Sequence, residues 1–229
     1  MGKVIVVTSG KGGVGKTTST AALGAALAQR NEKVVVVDFD VGLRNLDLVI
    51  GAERRVVYDF VNVIQGDAKL TQALIRDKRL ETLYLLPASQ TRDKDTLTEE
   101  GVDLVIDQLK KSFDWVICDS PAGIERGEKM DKHLLLTRYD PSRAERGDML
   151  KVEDVLEILS IPLLGIIPES QDVLRASNVG SPVTLADQRS APAMAYLDAA
   201  RRLAGEDVPM NVPSEKRGLL GKLFGRRAA

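Results

Sequence analysis

The sequence predicts a doubly wound α/β fold, in which helices cover both faces of a mostly parallel sheet. The main observation is that short β-branched runs alternate with longer stretches of helical period. A second is that a glycine-rich segment and several aspartates follow directly after such runs. The predicted strands are residues 4–7, 33–38, 82–86, 115–119, 133–137 and 163–167. The predicted helices are residues 16–30, 98–112, 149–159 and 192–203.

Composition favours one large globular domain without disulfides. The 229 residues are 44% hydrophobic and 28% charged, with a formal net charge of −1, which excludes a disordered chain or a fibre. The single cysteine, Cys118, excludes an internal disulfide framework or a multi-cysteine metal site and fits a reducing cytoplasm. We expect a domain over residues 1–207, a hinge over 208–213 and a basic tail over 214–229.

The first predicted strand leads into a phosphate-binding motif. The motif fits G-x-x-x-x-G-K-[ST] between a strand and a helix, which is the context that it requires. Its glycines let backbone N–H groups turn inward and form, with the helix N-terminus, a cradle for phosphate oxygens. The motif residues are Gly10, Lys11, Gly12, Gly13, Val14, Gly15, Lys16 and Thr17. The sequence therefore predicts a P-loop NTPase fold that binds ATP with Mg²⁺.

Each polar side chain of the motif has a predicted role. Lys16 is expected to reach the β- and γ-phosphates, and Thr17 to place its hydroxyl on Mg²⁺. Thr18 is expected to reach the α-phosphate. Lys11 has no necessary role toward its own nucleotide, whereas P-loop enzymes commonly neutralise transition-state charge with a cation from a partner. Lys11 therefore suggests a nucleotide-sandwich dimer. A plain glycine-rich turn is the alternative, but it would not need the Lys16–Thr17 pair.

Three aspartates follow predicted strands at the same edge of the sheet. Asp119 ends an apolar run, where a Walker B aspartate orders the hydration shell of Mg²⁺. Asp38 and Asp40 end another run, and we expect Asp40 to position the attacking water and Asp38 to join the outer shell of the metal. The alternative is that these aspartates only cap a turn.

Five segments resemble the MinD/ParA family of deviant Walker A ATPases, and in particular its bacterial cell-division members. They are GKGGVGKT at 10–17, DFDVGLRNLDLVIG at 38–51, CDSPAGIE at 118–125, LLLTRYDP at 134–141 and GIIPES at 165–170. The resemblance covers nearly the whole chain. It implies that Lys11 reaches the phosphates of the other subunit, and that Arg138 and Pro168 hold the adenine base. It also places Asp40 in switch I and Asp119 in the Walker B region.

The resemblance further implies a cellular role. The chain is expected to be an ATPase that forms a homodimer on ATP and acts in septum placement. It is expected in the cytoplasm and, as a peripheral protein, on the cytoplasmic face of the bacterial inner membrane. Its expected partners are the division inhibitor MinC, the activator MinE and anionic lipids.

One junction departs from the family pattern. Family members continue after CDSPAGIE with a further strand and helix, whereas here only residues 120–132 separate two predicted strands. A parallel crossover needs a dozen or more residues and usually a helix with an apolar face. We therefore expect that one βα unit near residue 127 is missing, which would leave a gap in the sheet and expose apolar surface.

The tail has the pattern of an interfacial membrane helix. Its apolar residues fall on one helical face and its basic residues on the other: Leu219, Leu220, Leu223 and Phe224 against Lys216, Lys222 and Arg226. Glycines lower its helical propensity, so we expect a helix on lipid and disorder in water. The alternative is a C-terminal helix packed on the domain.

Two other functions stay open at this stage. A ParA-like DNA-partitioning ATPase would share the loop and the dimer but needs a basic DNA-facing surface. Because the basic excess here is confined to the tail, no nucleic acid is expected. A non-catalytic nucleotide- or membrane-binding scaffold would result if the missing unit abolished hydrolysis.

Overall fold

The structure is a computed structural model and describes residues 1–42, 44–90, 98–120 and 131–213. Its strands are β1 (Lys3–Val7), β2 (Val34–Asp38), β3 (Ile75–Arg76), β4 (Leu83–Leu86), β5 (Trp115–Asp119), β6 (Leu134–Tyr139) and β7 (Leu163–Pro168). Its helices are α1 (Lys16–Ala28), α2 (Leu46–Ile50), α3 (Phe60–Gln65), α4 (Leu70–Ala73), α5 (Glu99–Ser112), α6 (Pro141–Glu145), α7 (Val152–Leu159), α8 (Gln171–Asn178), α9 (Val183–Ala186) and α10 (Ala191–Leu203). A 3₁₀ turn spans Glu53–Arg55. The predicted α/β alternation is confirmed.

The strands form two sheets where the sequence predicts one. Five strands pair in the order β1-β5-β2-β4-β3, and β6 pairs with β7 in a separate sheet. Every pairing is parallel except that of β3 with β4. Within the described residues no strand pairing joins the two sheets, which is consistent with the expected gap. Its expected cause, a missing unit near residue 127, lies outside the described residues.

A continuous helical layer joins the two sheets on one face. Helix α10 packs against both α1 and β7, and a first hydrophobic cluster contains side chains from all three elements. Helix α1 lies close to the sheet because Gly24 faces β2, where an added Cβ would lie 2.5 Å from a methyl of Val36. Strands β2 and β5 are buried throughout, as central parallel strands covered on both faces should be.

On the opposite face of the sheets, the hydrophobic core is not continuous. There a second hydrophobic cluster lies between α5 and the five-stranded sheet, and includes Val35, Val116 and Leu109. A third cluster lies on the β6–β7 sheet and includes Tyr139, Val152 and Ile166. These two clusters share no residue, so on this face nothing among the described residues joins the two sheets into one core.

The described chain ends on an extended segment beside β7. Residues 208–213, the expected hinge, have no helix or strand. The guanidinium of Arg202 donates to the carbonyls of Val208, Pro209 and Leu164, at 2.9, 2.6 and 2.9 Å. The segment is therefore fastened to the domain where it begins. The tail residues 214–229, with every predicted membrane contact, lie outside the described residues. Within the described part, no helix has the length and hydropathy needed to cross a membrane.

Candidate nucleotide site

The predicted phosphate loop lies between β1 and α1, as its motif requires. Gly13 and Gly15 adopt φ values of 72° and 96°, a left-handed backbone that glycine tolerates without strain. A Cβ added at either residue would meet no atom within 4 Å, so the space in front of the loop is open. Gly15 is also the N-cap of α1 and has no side chain to satisfy the first helical N–H groups. The loop is therefore an open cradle of backbone donors.

The two lysines of the loop are held differently. The Lys16 ammonium donates to the Ser9 hydroxyl at 3.2 Å, and that hydroxyl donates to the Lys11 carbonyl at 2.7 Å. Ser9 thus fixes the backbone of the loop and holds the Lys16 ammonium beside it. Lys11 itself is exposed. This arrangement holds the Lys16 ammonium at the loop and leaves the Lys11 side chain exposed.

Asp119 lies next to the start of α1. It is almost fully buried, and burial raises the pKa of its carboxyl, while a hydrogen bond from the Thr17 hydroxyl and the charge of Lys16 lower it. Strands β1, β5 and β2 lie side by side, so Val7 is level with Asp119 and Asp119 with Asp38. The predicted metal-side residues Thr17 and Asp119 are therefore brought together at the carboxyl end of the sheet.

Asp38 anchors the loop that follows β2. Its carboxylate accepts N–H groups from Asp40 at 2.9 Å and from Leu46 at 3.2 Å, one on each oxygen. The side chain has no exposed surface, and this burial raises the pKa of Asp38 to about 7. The geometry shows that Asp38 closes the loop onto the start of α2. Its role in the outer metal shell stays a prediction.

Asp40 lies on the loop that Asp38 anchors. Its negative charge acts on both Asp38 and Asp119 and raises the pKa of each of them further. Three carboxylates thus lie at this edge of the sheet, and the charge of Lys16 acts on Asp119. Such a concentration of negative charge favours a divalent cation between protein and phosphate.

The β6–β7 sheet supplies the other side of the site. The Thr137 hydroxyl donates to the Val14 carbonyl at 2.9 Å and so links β6 directly to the phosphate loop. The next residue, Arg138, has a φ of 55° and pairs with Glu169, with 2.8 Å between Nε and Oε2. Pro168 is level with Tyr139 at the end of β7. Arg138 and Pro168 are thus near each other beside the loop, and their contact with adenine stays a prediction.

Two contacts of the site could not be read from the sequence. One is Thr137, described above. The other is Tyr196 on α10, whose hydroxyl lies 2.9 Å from the Ser19 hydroxyl on α1 with both side chains buried. Both pairs join residues more than a hundred positions apart. Because no local motif marks such partners, no sequence signal could have found them.

The residues present fit ATP and Mg²⁺. An open cradle, one ammonium and a hydroxyl beside a carboxylate are the groups that hold phosphates and a hydrated magnesium ion. Within the described ranges, no cluster of three or more histidine, cysteine or acidic side chains is arranged to hold a metal without a ligand. A surface cavity of about 780 Å³, lined by Lys3, Lys33 and Trp115, lies at the other end of β1 and β5 and does not belong to this site.

Comparisons with known proteins agree with this geometry. Residues 5–183 match the CobQ/CobB/MinD/ParA nucleotide-binding domain family. The septum site-determining protein MinD of Escherichia coli is 54% identical over 270 aligned positions, which cover 98% of this chain and 100% of the relative. MinD of Neisseria meningitidis is 49% identical over 271 positions, with 98% and 100% covered. Because 270 positions exceed the 229 residues of the chain, at least 41 internal positions of the Escherichia coli relative have no counterpart here.

Solved structures show the same fold. The MinC:MinD cell division protein complex of Aquifex aeolicus superposes with a TM-score of 0.83 at 37% identity, covering 93% of this chain and all of that chain. MinD of Pyrococcus horikoshii complexed with Mg-ADP gives a TM-score of 0.77 at 28% identity, covering 89% and 96%. With the P-loop geometry, these similarities show that the chain belongs to the MinD group of the CobQ/CobB/MinD/ParA nucleotide-binding family.

Proposed function

We propose that this chain is an ATPase of septum placement that dimerises on ATP, binds anionic membrane through its tail, recruits MinC and is stimulated by MinE. The observation that carries the proposal is the convergence of Lys16, Thr17 and Asp119 at the carboxyl end of the sheet. The 54% identity to MinD supports the division role. The ParA-like alternative is less favoured, because a ParA family ATPase structure from Chlorobium tepidum is only 18% identical and shows the fold alone.

Each residue of the site would have a separate role in binding and hydrolysing ATP. ATP supplies the bond that is broken, and Mg²⁺ offsets charge on its phosphates. Lys16 would hold the β- and γ-phosphates, Thr17 and Asp119 would fix the position of the cation, and Asp40 would orient the attacking water. Asp38 would hold Asp40 in place through the bond between their carboxylate and N–H groups. Lys11, being exposed, would reach the phosphates of the second subunit.

Dimerisation would control membrane binding through avidity. Four large apolar side chains contribute on the order of 1.5–3 kcal/mol each when fully buried, and basic residues about 1 kcal/mol each near anionic lipid. Partial burial and the ordering of the helix remove much of this gain. A single tail therefore binds weakly, whereas two tails on one dimer raise the apparent affinity by ~10²–10⁴.

The partners are proposed from the relatives. The Aquifex aeolicus structure is a complex of MinC with MinD, and its MinD-like fold covers nearly all of this chain. MinE and lipid are proposed from the resemblance of the sequence alone. A pull-down in ATP that recovers neither MinC nor MinE would remove both from the proposal.

The divided sheet favours a second candidate. A chain that lacks a unit between β5 and β6 could bind nucleotide and lipid without turnover and act as a scaffold, since the gap lies beside the site. This candidate predicts equal lipid binding in ATP and ADP.

One experiment separates the two candidates. The full chain is sedimented with anionic liposomes in ATP and in ADP, and phosphate release is measured in the same samples with and without MinE. Pelleting in ATP alone, with turnover that rises with MinE, supports the ATPase. Equal pelleting in both nucleotides without turnover supports the scaffold, and Lys16→Ala is the control that should abolish nucleotide dependence.

A further inference from the structure

Four buried side-chain atoms in the described part of the chain have no hydrogen-bond partner. Two of them, Nε of Arg44 and Oδ2 of Asp47, lie 2.7 Å apart in an ion pair with each other. The other two are the hydroxyls of Thr20 and Ser89. Thr20 lies in α1, one helical turn beyond Thr17, so the two threonines share a face of the helix. An unpaired buried hydroxyl lowers stability, and such groups often mark functional sites.

The Thr20 side chain lies beside the carboxyl group of Asp119. No part of Thr20 is exposed, and Asp119 is only 3% exposed at the end of β5. Helix α1 packs against β5, and the Thr20 hydroxyl is near enough to Asp119 to help lower the pKa of that carboxyl. The geometry of this contact nevertheless falls short of a hydrogen bond. Thr20 and Asp119 are therefore neighbours whose bond is not yet made.

Two other buried hydroxyls on or beside α1 have partners. Ser19, the residue before Thr20, has its hydroxyl 2.9 Å from that of Tyr196. Thr184 donates to the Ala22 carbonyl at 3.2 Å. Both bonds join α1 to another helix and so contribute to packing. Thr20 differs because its hydroxyl lies beside a carboxyl group of the nucleotide site.

Asp119 can accept more hydrogen bonds than Thr17 alone supplies. An ionised carboxylate has two oxygens with about four acceptor sites, and a buried one needs donors to offset the loss of water. Thr17 supplies one hydrogen bond, and Lys16 acts through its charge. The negative charge of Asp40 acts in the opposite direction and disfavours the ionised form. A second hydroxyl on the same face of α1 would stabilise the ionised form, which is the one that attracts a cation.

We propose that Thr20 is a positioning residue of the nucleotide site, whose hydroxyl donates to Asp119 when Asp119 fixes the position of Mg²⁺. The inference rests on the binding of magnesium and nucleotide in the proposed function, and on neither turnover nor membrane binding. With Thr17 and Thr20 as donors one helical turn apart, the carboxylate of Asp119 is held in one rotation about its Cβ–Cγ bond. Helix α1 then sets the orientation of Asp119, as groups behind a metal-binding residue commonly do.

The test measures ADP affinity by calorimetric titration at one pH, with and without Mg²⁺. The ratio of the two dissociation constants is the Mg²⁺ gain. Thr20→Val replaces the hydroxyl by a methyl group of the same shape and should reduce the Mg²⁺ gain about tenfold, because Asp119 loses an orienting donor. Its affinity for ADP without Mg²⁺ should change less than about twofold. An unreduced gain in Thr20→Val overturns the proposal.

Thr20→Ser separates the hydroxyl from the rest of the side chain. This variant keeps the donor and loses only a methyl group, so its Mg²⁺ gain should stay within about twofold of that of the unchanged chain. Equal reductions of the gain in Thr20→Ser and Thr20→Val would mean that packing, and not the hydroxyl, is responsible. That result would also overturn the proposal.

Thr184→Val is the matched control for stability. Thr184 is fully buried like Thr20, but its hydroxyl bond to Ala22 is already made. Thr184→Val should therefore lower the melting temperature by about 2–4 °C and leave the Mg²⁺ gain unchanged. Thr20→Val should not lower the melting temperature without nucleotide, because the hydroxyl that it removes has no partner within the described ranges. A loss equal to that of Thr184→Val would show that the Thr20 hydroxyl is bonded elsewhere and would contradict the assignment.

The unchanged chain separates failure of this inference from failure of the proposed function. If its ADP affinity does not tighten with Mg²⁺, the metal–nucleotide site is wrong and the role of Thr20 falls with it. If its affinity tightens and that of Thr20→Val tightens equally, only the role of Thr20 is wrong. None of these measurements needs turnover, MinE or lipid, so a loss of hydrolysis would not change their outcome.

Discussion

The five-stranded and the two-stranded sheets differ in how completely they are enclosed, and the nucleotide site draws residues from both. Strands β2 and β5 have neighbours on both sides and helices on both faces, and they are buried along their whole length. Among the described residues, strand β6 has one neighbour, and four of its six residues are half-buried. The phosphate side of the site belongs to the first sheet, and the side with Arg138 and Pro168 belongs to the second. The difference suggests that phosphate binding tolerates the gap better than the rest of the site.

The largest expected effect concerns the phosphate side. Lys16→Ala should weaken ATP binding by about 10²–10³-fold, because it removes the ammonium that Ser9 holds beside the loop. Lys11→Ala is the matched control and should leave ADP affinity almost unchanged, since Lys11 is exposed and is proposed to act on the other subunit. Titration calorimetry measures both. Equal losses in the two variants would remove the distinction between the lysines.

A matched pair of leucines compares the packing of the two sheets. Leu85 in β4 is 1% exposed in the first cluster, whereas Leu136 in β6 is half-buried on the third. Leu85→Ala should lower the free energy of unfolding by about 2–5 kcal/mol. Leu136→Ala should lower it by about 1 kcal/mol, because less apolar surface is lost. Urea denaturation gives both values, and equal costs would mean that the two sheets are equally well packed.

The buried Asp38 carboxylate should make the stability of the fold depend on pH. The pKa of Asp38 is about 7 in the fold against 3.8 for an exposed aspartate. Between these values the folded chain binds the extra proton, so its stability should fall as pH rises from about 4 to 7. The difference between the two pKa values corresponds to about 4 kcal/mol. In the absence of nucleotide, the Asp38→Asn variant should lose less stability than the unchanged chain between pH 5 and pH 8. Some dependence should remain, because burial also raises the pKa of Asp119. An unchanged slope in the variant would contradict this role of Asp38.

The smallest predicted effect concerns the link between the sheets. Thr137→Val removes the hydroxyl that donates to the Val14 carbonyl, at a cost of about 1 kcal/mol in stability. Thr82→Val is the control, because Thr82 donates to the Ala28 carbonyl at 2.8 Å, away from the site. Both variants should lose similar stability, but only Thr137→Val should lower nucleotide affinity, by about two- to tenfold. If neither changes affinity, the β6 contact does not shape the loop.

The strands and the phosphate loop could be predicted because their signals are local. The β-branched runs gave all the long strands to within two residues at each end, and Trp115–Asp119 without any shift. A gap could be predicted because the junction after β5 offers no helix with an apolar face, which a normal crossover uses. Short helices such as α2 and α9 could not be predicted, because four or five residues are fewer than one helical repeat of apolar positions needs.

The motif residues of the site could be predicted from the sequence, whereas the residues that hold them in place could not. Lys16, Thr17 and Asp119 lie where the sequence places them, because strand ends and a glycine-rich turn fix their positions. The anchoring of Leu46 by Asp38 and the pair of Ser19 with Tyr196 depend on tertiary packing, which no spacing in the sequence reveals. The interpretation of Asp38 is the clearest example: its position was predicted, but its bonds to the loop were not.

The residues of the phosphate site lie together although no strand pairing among the described residues joins the two sheets beside it. The most direct test is calorimetric titration of the full chain with ADP in the presence and absence of Mg²⁺. We expect saturable binding of one nucleotide per chain that tightens with Mg²⁺. No binding at millimolar nucleotide by a chain that is folded by circular dichroism would contradict it, and would mean that the phosphate loop needs the missing part of the sheet.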